Sequence, residues 1–237
     1  MTAAKRAETM ASTSPRQLAL ALDHAESFAR EDFLAGPPNE AALKLIERWP
    51  DWPDRSLLLV GPDGSGKSHL GAIWARTAGA RLIAARALDT VNLPATLATG
   101  ALLVEDLADG AFDEYALFHL LNLVREDAAS LLITARQPPS TFAIALRDLG
   151  SRLAALPMAR VAAPDDALLR AVIVKLFSDR QIPVEENVVS YLVTHIERSF
   201  SAARAAVERL DREALRLKRP VTRALAGELF RDPVGLQ

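Results

Sequence analysis

The run Gly61-Pro62-Asp63-Gly64-Ser65-Gly66-Lys67-Ser68 satisfies every fixed position of the pattern G-x-x-x-x-G-K-[ST]. Glycines at these places let the backbone curl until successive N–H groups face one concavity, where they bond phosphate oxygens. A helix opening at Lys67 adds the positive end of its dipole. Lys67 is expected to reach β- and γ-phosphates and Ser68 to place its hydroxyl on Mg²⁺, with His69 completing the nucleotide-contacting run. A match of this kind arises by chance in roughly one chain per hundred of this length. Here it falls between an apolar run and a helical pattern, the setting such a loop requires.

A second run, Ala101-Leu102-Leu103-Val104, ends in Glu105 and Asp106. At the carboxyl end of a parallel strand two acids face the crevice where a nucleotide sits. One carboxylate can hold Mg²⁺ through its water shell while the other polarises an attacking water. The expected metal set is therefore Ser68, Glu105 and Asp106. The usual order puts Asp first. With Glu105 leading, the longer side chain is expected to displace the metal contact and slow hydrolysis. Leu131-Leu132-Ile133-Thr134 repeats the pattern with a hydroxyl at its tip, placed to sense a γ-phosphate or orient water.

The elements that would carry these residues alternate in type. Short apolar runs at 56–60, 81–84, 101–104, 131–134 and 158–162 read as buried strands. Helical patterns lie between them at 67–77, 113–127 and 141–156. This is the signature of a parallel sheet covered on both faces. A helical pattern over 40–48 precedes the break Trp49-Pro50-Asp51-Trp52-Pro53. After Pro164 the alternation stops. Asp165-Asp166 is a helix start, and helices are expected from there, then over 185–196, 201–218 and 222–230. The expected organisation is an arm over 1–16, an α/β domain over 23–164 and a helical domain over 165–237.

Composition narrows the classes further. The chain has 237 residues, half of them apolar, enough for a substantial core. A formal net charge of -2 provides no global field toward nucleic acid or anionic lipid. The absence of cysteine excludes disulfides and thiolate zinc sites. The four histidines show no metal-ligand spacing. No apolar stretch reaches the roughly 18–20 residues of a membrane span, and the first residues lack a signal-peptide core. A cytoplasmic protein is expected.

Phosphate loop, acidic strand, polar strand tip, Gln137-Pro138-Pro139 and Leu149-Gly150-Ser151-Arg152-Leu153 before a helical lid together resemble the AAA+ P-loop NTPases of the DnaA type. Within that group the chain is similar to the short Hda (HdaA) branch of regulatory inactivators, from about residue 17 to residue 230. The resemblance implies a five-stranded parallel sheet with a small all-helical lid, and ADP or ATP with Mg²⁺ between them, Pro38 and Ile46 lying near the base. It implies that Arg152 is an arginine finger, offered across an interface to a neighbour's γ-phosphate. A guanidinium there stabilises charge in the transition state. It implies that Gln17, Leu18, Leu20 and Leu22 form an extended peptide for the DNA polymerase III sliding clamp (beta subunit), in the manner of strand-like ligands. The family's lid arginine falls at Ser201. Arg198 and Arg204 lie one turn to either side, and Arg204 is the preferred phosphate contact.

The implied partners are DnaA, the clamp and possible further copies of this chain, with no membrane and no direct sequence-specific DNA contact. DnaA proteins continue into a helix-turn-helix domain, which is not expected here after the last lid helix. The implied function is negative control of replication initiation, by stimulating ATP hydrolysis on DnaA. Two alternatives remain: a helicase-loader-like ATPase that hydrolyses its own ATP, and a non-enzymatic adaptor that uses nucleotide as a structural ligand.

Overall fold

The computed structural model describes residues 28–230. The arm over 1–16 and the candidate clamp peptide with Gln17, Leu18, Leu20 and Leu22 lie outside the described residues.

Five parallel strands form one sheet in the order β2-β3-β4-β1-β5: β1 (Ser56–Val60), β2 (Arg81–Ala84), β3 (Ala101–Leu107), β4 (Ser130–Ala135) and β5 (Met158–Arg160). Every residue of β1 and β4 is buried, as expected of central strands covered on both faces. Strand periodicity divides their apolar side chains between two cores. Leu58, Val60, Val104, Leu131 and Ile133 pack with Leu117, Leu120, Leu149 and Leu153, from α4 (Glu114–Glu126) and α5 (Arg147–Ala155). Leu57, Leu59, Leu103 and Leu132 pack on the other face with Leu43 and Ile46 of α1 (Glu40–Glu47) and Leu70 and Trp74 of α2 (Lys67–Ala78). A short helix, α3 (Leu93–Leu97), is capped by Asn92, whose side-chain oxygen accepts from Ala95 N–H at 3.0 Å.

From Asp166 onward only helices are described: α6 (Asp166–Asp179), α7 (Glu186–His195), α8 (Phe200–Leu217) and α9 (Arg223–Phe230). They enclose an apolar core of their own, which includes Leu169, Ile173, Phe177, Val188, Leu192, Val207 and Leu225. Asp165 caps α6 through Leu168 N–H at 2.8 Å, and Ser199 caps α8 through Ala202 N–H at 3.1 Å.

At the sheet edge β2, expected to be buried, leaves Arg81 and Leu82 exposed because only one neighbour covers it; one helix also departs from its local pattern. A helix was expected over 141–156, yet α5 begins only at Arg147. The preceding N–H groups bond elsewhere: Ala143 to the Asp109 carboxylate at 2.9 Å, Ala145 and Leu146 to Glu114 at 2.9 and 2.7 Å. Acids from distant segments take the donors that a helix would have used. Among the described residues no helix is long and apolar enough to cross a membrane.

Candidate functional site

Because all five strands run the same way, the residues following β1, β3 and β4 gather at one rim of the sheet. A cavity of about 640 Å³ opens there, walled on the far side by α6 and α8. The turn between β1 and α2 forms its floor. Gly64 has φ +64° and Gly66 φ +98°, conformations that side chains rarely adopt. A Cβ on Gly64 would stand 2.3 Å from Ser201 Oγ, so this glycine also admits the lid. A Cβ on Gly61 would meet the Val161 carbonyl at 2.3 Å. Gly61, Pro62 and Ser65 build the turn without lining the cavity. Asp63, Gly64, Gly66, Lys67 and Ser68 line it.

Lys67 is buried, and its Nζ donates to the Pro62 carbonyl at 2.8 Å. Burial pushes its pKa down, and Asp63 and Asp106 nearby oppose that shift. Burial raises the pKa of Glu105, which does not itself line the cavity, and the neighbouring Ser68 hydroxyl opposes that shift. Glu105 thus reaches the helix start despite its place first in the acidic pair. Asp106 lines the cavity with φ +57°, at the irregularity between Val104 and Leu107 in the β3–β4 register. Its N–H donates to Thr134 Oγ1 at 3.0 Å. Thr134 is buried and lies one layer behind the cavity wall, holding the bent strand that presents Asp106.

Two carboxylates and a hydroxyl form a hard-oxygen donor set that suits Mg²⁺, a cation held by few protein ligands and completed by water and phosphate. Among the described residues no group of three or more His, Cys, Asp or Glu makes a metal cage by itself. Ser68, Glu105 and Asp106 would hold the ion only jointly with an incoming phosphate.

Phe28, Phe33, Leu34, His69, Val172 and Leu176 also line the cavity, beside the charged side chains of Asp32, Lys175 and Asp179. His69 sits here, away from the phosphate turn. Its Nε2 lies 2.9 Å from the Ala29 carbonyl, and Phe28 and Phe33 meet its ring edge-on at 5.4 and 5.2 Å. Burial lowers its pKa and so favours the neutral ring. Pro38 and Ile46, expected at the base, do not line the cavity: Ile46 is spent in the sheet core beside Trp74, and the Pro38 carbonyl accepts Ala162 N–H at 3.0 Å. The residues that do line it were missed in the sequence. Their only signals are aromatic residues ahead of the first helix and the pair Val172/Leu176, one turn apart on α6.

On the lid side, Phe200, Ser201 and Arg204 line the cavity. Phe200 N–H donates to the Gly64 carbonyl at 2.7 Å, which brings the start of α8 onto the turn. Burial pushes the Arg204 guanidinium down, against the opposing Glu208 charge one turn on. Arg198 faces outward and pairs with Asp166 at 2.9 Å. Lys175 of α6 ties the lid to the leader ahead of α1, 2.8 Å from Asp32, while holding Asp179 at 2.8 Å. Arg152 is elsewhere. It projects from α5 across α4, donating to Asn122 Oδ1 with its guanidinium 4.6 Å from the Phe118 ring centroid, and does not line the cavity.

No protein-family model matches the sequence, and no curated protein is similar enough to it in sequence to count as a relative. Solved structures do resemble it. Domain III of the Thermotoga maritima replication initiation protein DnaA superposes with a TM-score of 0.70 at 19% identity, over 86% of this chain and 96% of that one. The replication initiator DnaA bound to AMPPCP and single-stranded DNA gives 0.63 at 15% identity, over 81% of this chain and 68% of that one. The chain has the AAA+ fold. The Thermotoga maritima RuvB Holliday junction branch migration motor shares it at a TM-score of 0.60 and 14% identity, with 74% of this chain matched to 61% of that motor.

Proposed function

We propose that this chain is an adenine-nucleotide-binding AAA+ protein of the DnaA-related regulatory type, which stimulates ATP hydrolysis on DnaA in trans. The observation that carries the reading is the division of cations. Lys67 and Arg204 line the chain's own cavity, whereas Arg152 stands on α5 outside it. An arginine so placed is useless to its own nucleotide and available to a neighbour's. Its guanidinium would meet the equatorial oxygens of a γ-phosphate and stabilise charge that grows in the transition state.

In the chain's own pocket, the diphosphate would lie along the turn at Gly64 and Gly66, with the helix dipole of α2 and Lys67 compensating its charge. Lys67 would exchange the Pro62 carbonyl for phosphate oxygens. The base would enter between Phe28, Phe33 and the lid residues Val172 and Leu176, where apolar surface excludes water. Mg²⁺, when bound, would neutralise the β- and γ-oxygens. Ser68 and Glu105 would orient its water shell. Docking through Gln17–Leu22 on the sliding clamp would bring the protein to replicating DNA in the cytoplasm. AMPPCP in a DnaA of the same fold supports the ligand class.

A second reading, an ATPase acting on its own nucleotide, is favoured by Ser68 and Asp106 together at the cavity wall. One reconstitution separates the two. DnaA-ATP, clamp-loaded DNA and this protein are combined, and γ-phosphate release from DnaA is followed. Arg152→Ala and Gln17→Ala are each expected to abolish the stimulation, while Asp106→Asn retains it. Stimulation indifferent to Arg152→Ala contradicts the regulatory reading; loss through Asp106→Asn with Arg152→Ala active supports the self-hydrolysing one.

A further inference from the structure

Apart from the nucleotide cavity, α1 and α2 leave a second, smaller cavity of about 190 Å³ between them. Ile46, Trp49, Ile73 and Trp74 make its walls. Arg30 and Glu47, ion-paired at 2.6 Å and half exposed, complete the lining with Thr77. Ile46, Ile73 and Trp74 are buried in the sheet core, so the walls are side chains the fold has already fixed. An apolar cavity of about 150 Å³ holds one benzene ring. This one therefore suits a single aliphatic side chain.

The chain brings such a side chain within reach. Arg30 lines the cavity, and Leu22, outside the described residues, precedes it by eight residues. That length extends to roughly 26–29 Å, over twice the diameter of a helix. Charge favours the same course. Asp23 follows Leu22 directly, and Glu26 comes three residues later. On the cavity side, Arg48 sits between Glu47 and Trp49 in the chain, and Arg76 beside Thr77. Both arginines are exposed, and neither has a carboxylate partner among the described residues. A leucine flanked by acids thus matches an apolar hollow flanked by cations.

We propose that this cavity is the docking site of the chain's own Leu22, with Asp23 and Glu26 held by the arginines around it. One buried leucine and exposed ion pairs give a modest attraction, against which the closing of a short loop is set. The docked and released forms are therefore close in free energy. The consequence rests on the clamp-docking reading above: Leu22 cannot fill this cavity and a pocket of the sliding clamp at once. Docking masks the peptide until a clamp competes for it, and the masked fraction lowers the clamp's apparent affinity.

Tryptophan emission of the full chain reads the docking directly, since two of its three tryptophans line the cavity. Acrylamide quenching and the emission maximum are compared for wild type, Leu22→Asp, Leu18→Asp and Thr77→Asp. The last places a carboxylate at the cavity, against Asp23. Thermal melts serve as the folding control. Leu22→Asp and Thr77→Asp should each steepen the quenching and shift emission to the red, and together do no more than either alone. Leu18→Asp should change neither. Thr77→Asp should also tighten binding to the purified clamp by roughly twofold or more, as the masked fraction is released. Unchanged quenching in Leu22→Asp and Thr77→Asp means that water or another molecule fills the cavity. That result overturns the proposal and leaves the clamp reading intact. A Leu18→Asp effect equal to that of Leu22→Asp overturns the assignment to Leu22. Altered quenching with unchanged clamp affinity in Thr77→Asp overturns the masking role. A wild type that does not bind the clamp removes the clamp reading and the masking with it, and the fluorescence then decides the docking alone.

Discussion

Burial raises the Glu105 pKa above its ordinary value, so the ionised carboxylate costs the fold stability. Its contribution is fully present below the unfolded pKa and is lost as pH rises through the raised folded value. Glu105→Gln keeps an acceptor for the Ser68 hydroxyl and removes the charge. Without Mg²⁺ the variant should melt higher than wild type at neutral pH, and the gap should close as pH falls through the carboxylate range. A gap that widens on acidification contradicts this. The glycines of the turn make a second case. Gly64→Ala combines a positive φ with a Cβ only 2.3 Å from Ser201 Oγ, so a loss of about 1–3 kcal/mol is expected in denaturant melts. Gly79→Ala at φ +63° meets nothing within 4 Å and should cost less. The positions of the phosphate turn, the acidic pair and Thr134 at the ends of strands were legible from the apolar runs that precede them. What Thr134 touches was not readable. Its bond to the Asp106 N–H depends on a left-handed backbone that no local pattern announces.

The helices position by packing, and α5 against α4 shows how. Asn122 accepts from Arg152, and Phe118 underlies its guanidinium. These contacts hold a long side chain in one orientation at little cost, since a guanidinium stacks flat on an aromatic face. If Arg152 acts in trans, Phe118→Leu and Asn122→Ala should each lower the stimulated hydrolysis on DnaA several-fold while leaving this chain's own nucleotide affinity unchanged. Equal loss of nucleotide affinity would place Arg152 in the chain's own pocket instead. Strand and helix types followed from hydrophobic period, and the buried runs of β1 and β4 were unmistakable. The false helical start over 141–146 has a physical cause. Asp109 and Glu114, from before and within the first turn of α4, capture three backbone N–H groups, an interaction that no window along the chain contains.

Across the molecule, two cores flank one sheet and a third lies inside the lid. The cavity spans the join between them, so a ligand there contacts residues from several separated stretches: the leader ahead of α1, the turn after β1, the ends of β3 and β4, and the lid helices. This wide sourcing is why the phosphate turn was readable and the apolar lining was not: one motif builds the former, while Phe28, Phe33, Val172 and Leu176 converge only on folding. The Lys175–Asp32 bridge crosses the same join. Lys175→Ala should loosen the lid and cost roughly 1 kcal/mol or less, as expected of a partly exposed pair. A ligand binding both sides should restore the join. At a concentration one hundred times its dissociation constant, ADP should stabilise wild type by about 2.7 kcal/mol.

The most direct test of the account is equilibrium titration of wild type and Lys67→Ala with ATP and ADP in Mg²⁺. The account predicts saturable binding of one nucleotide per wild-type chain. It further predicts near-complete loss of that binding in a Lys67→Ala variant that still melts cooperatively. Equal binding by the two proteins, or none by either, would contradict it.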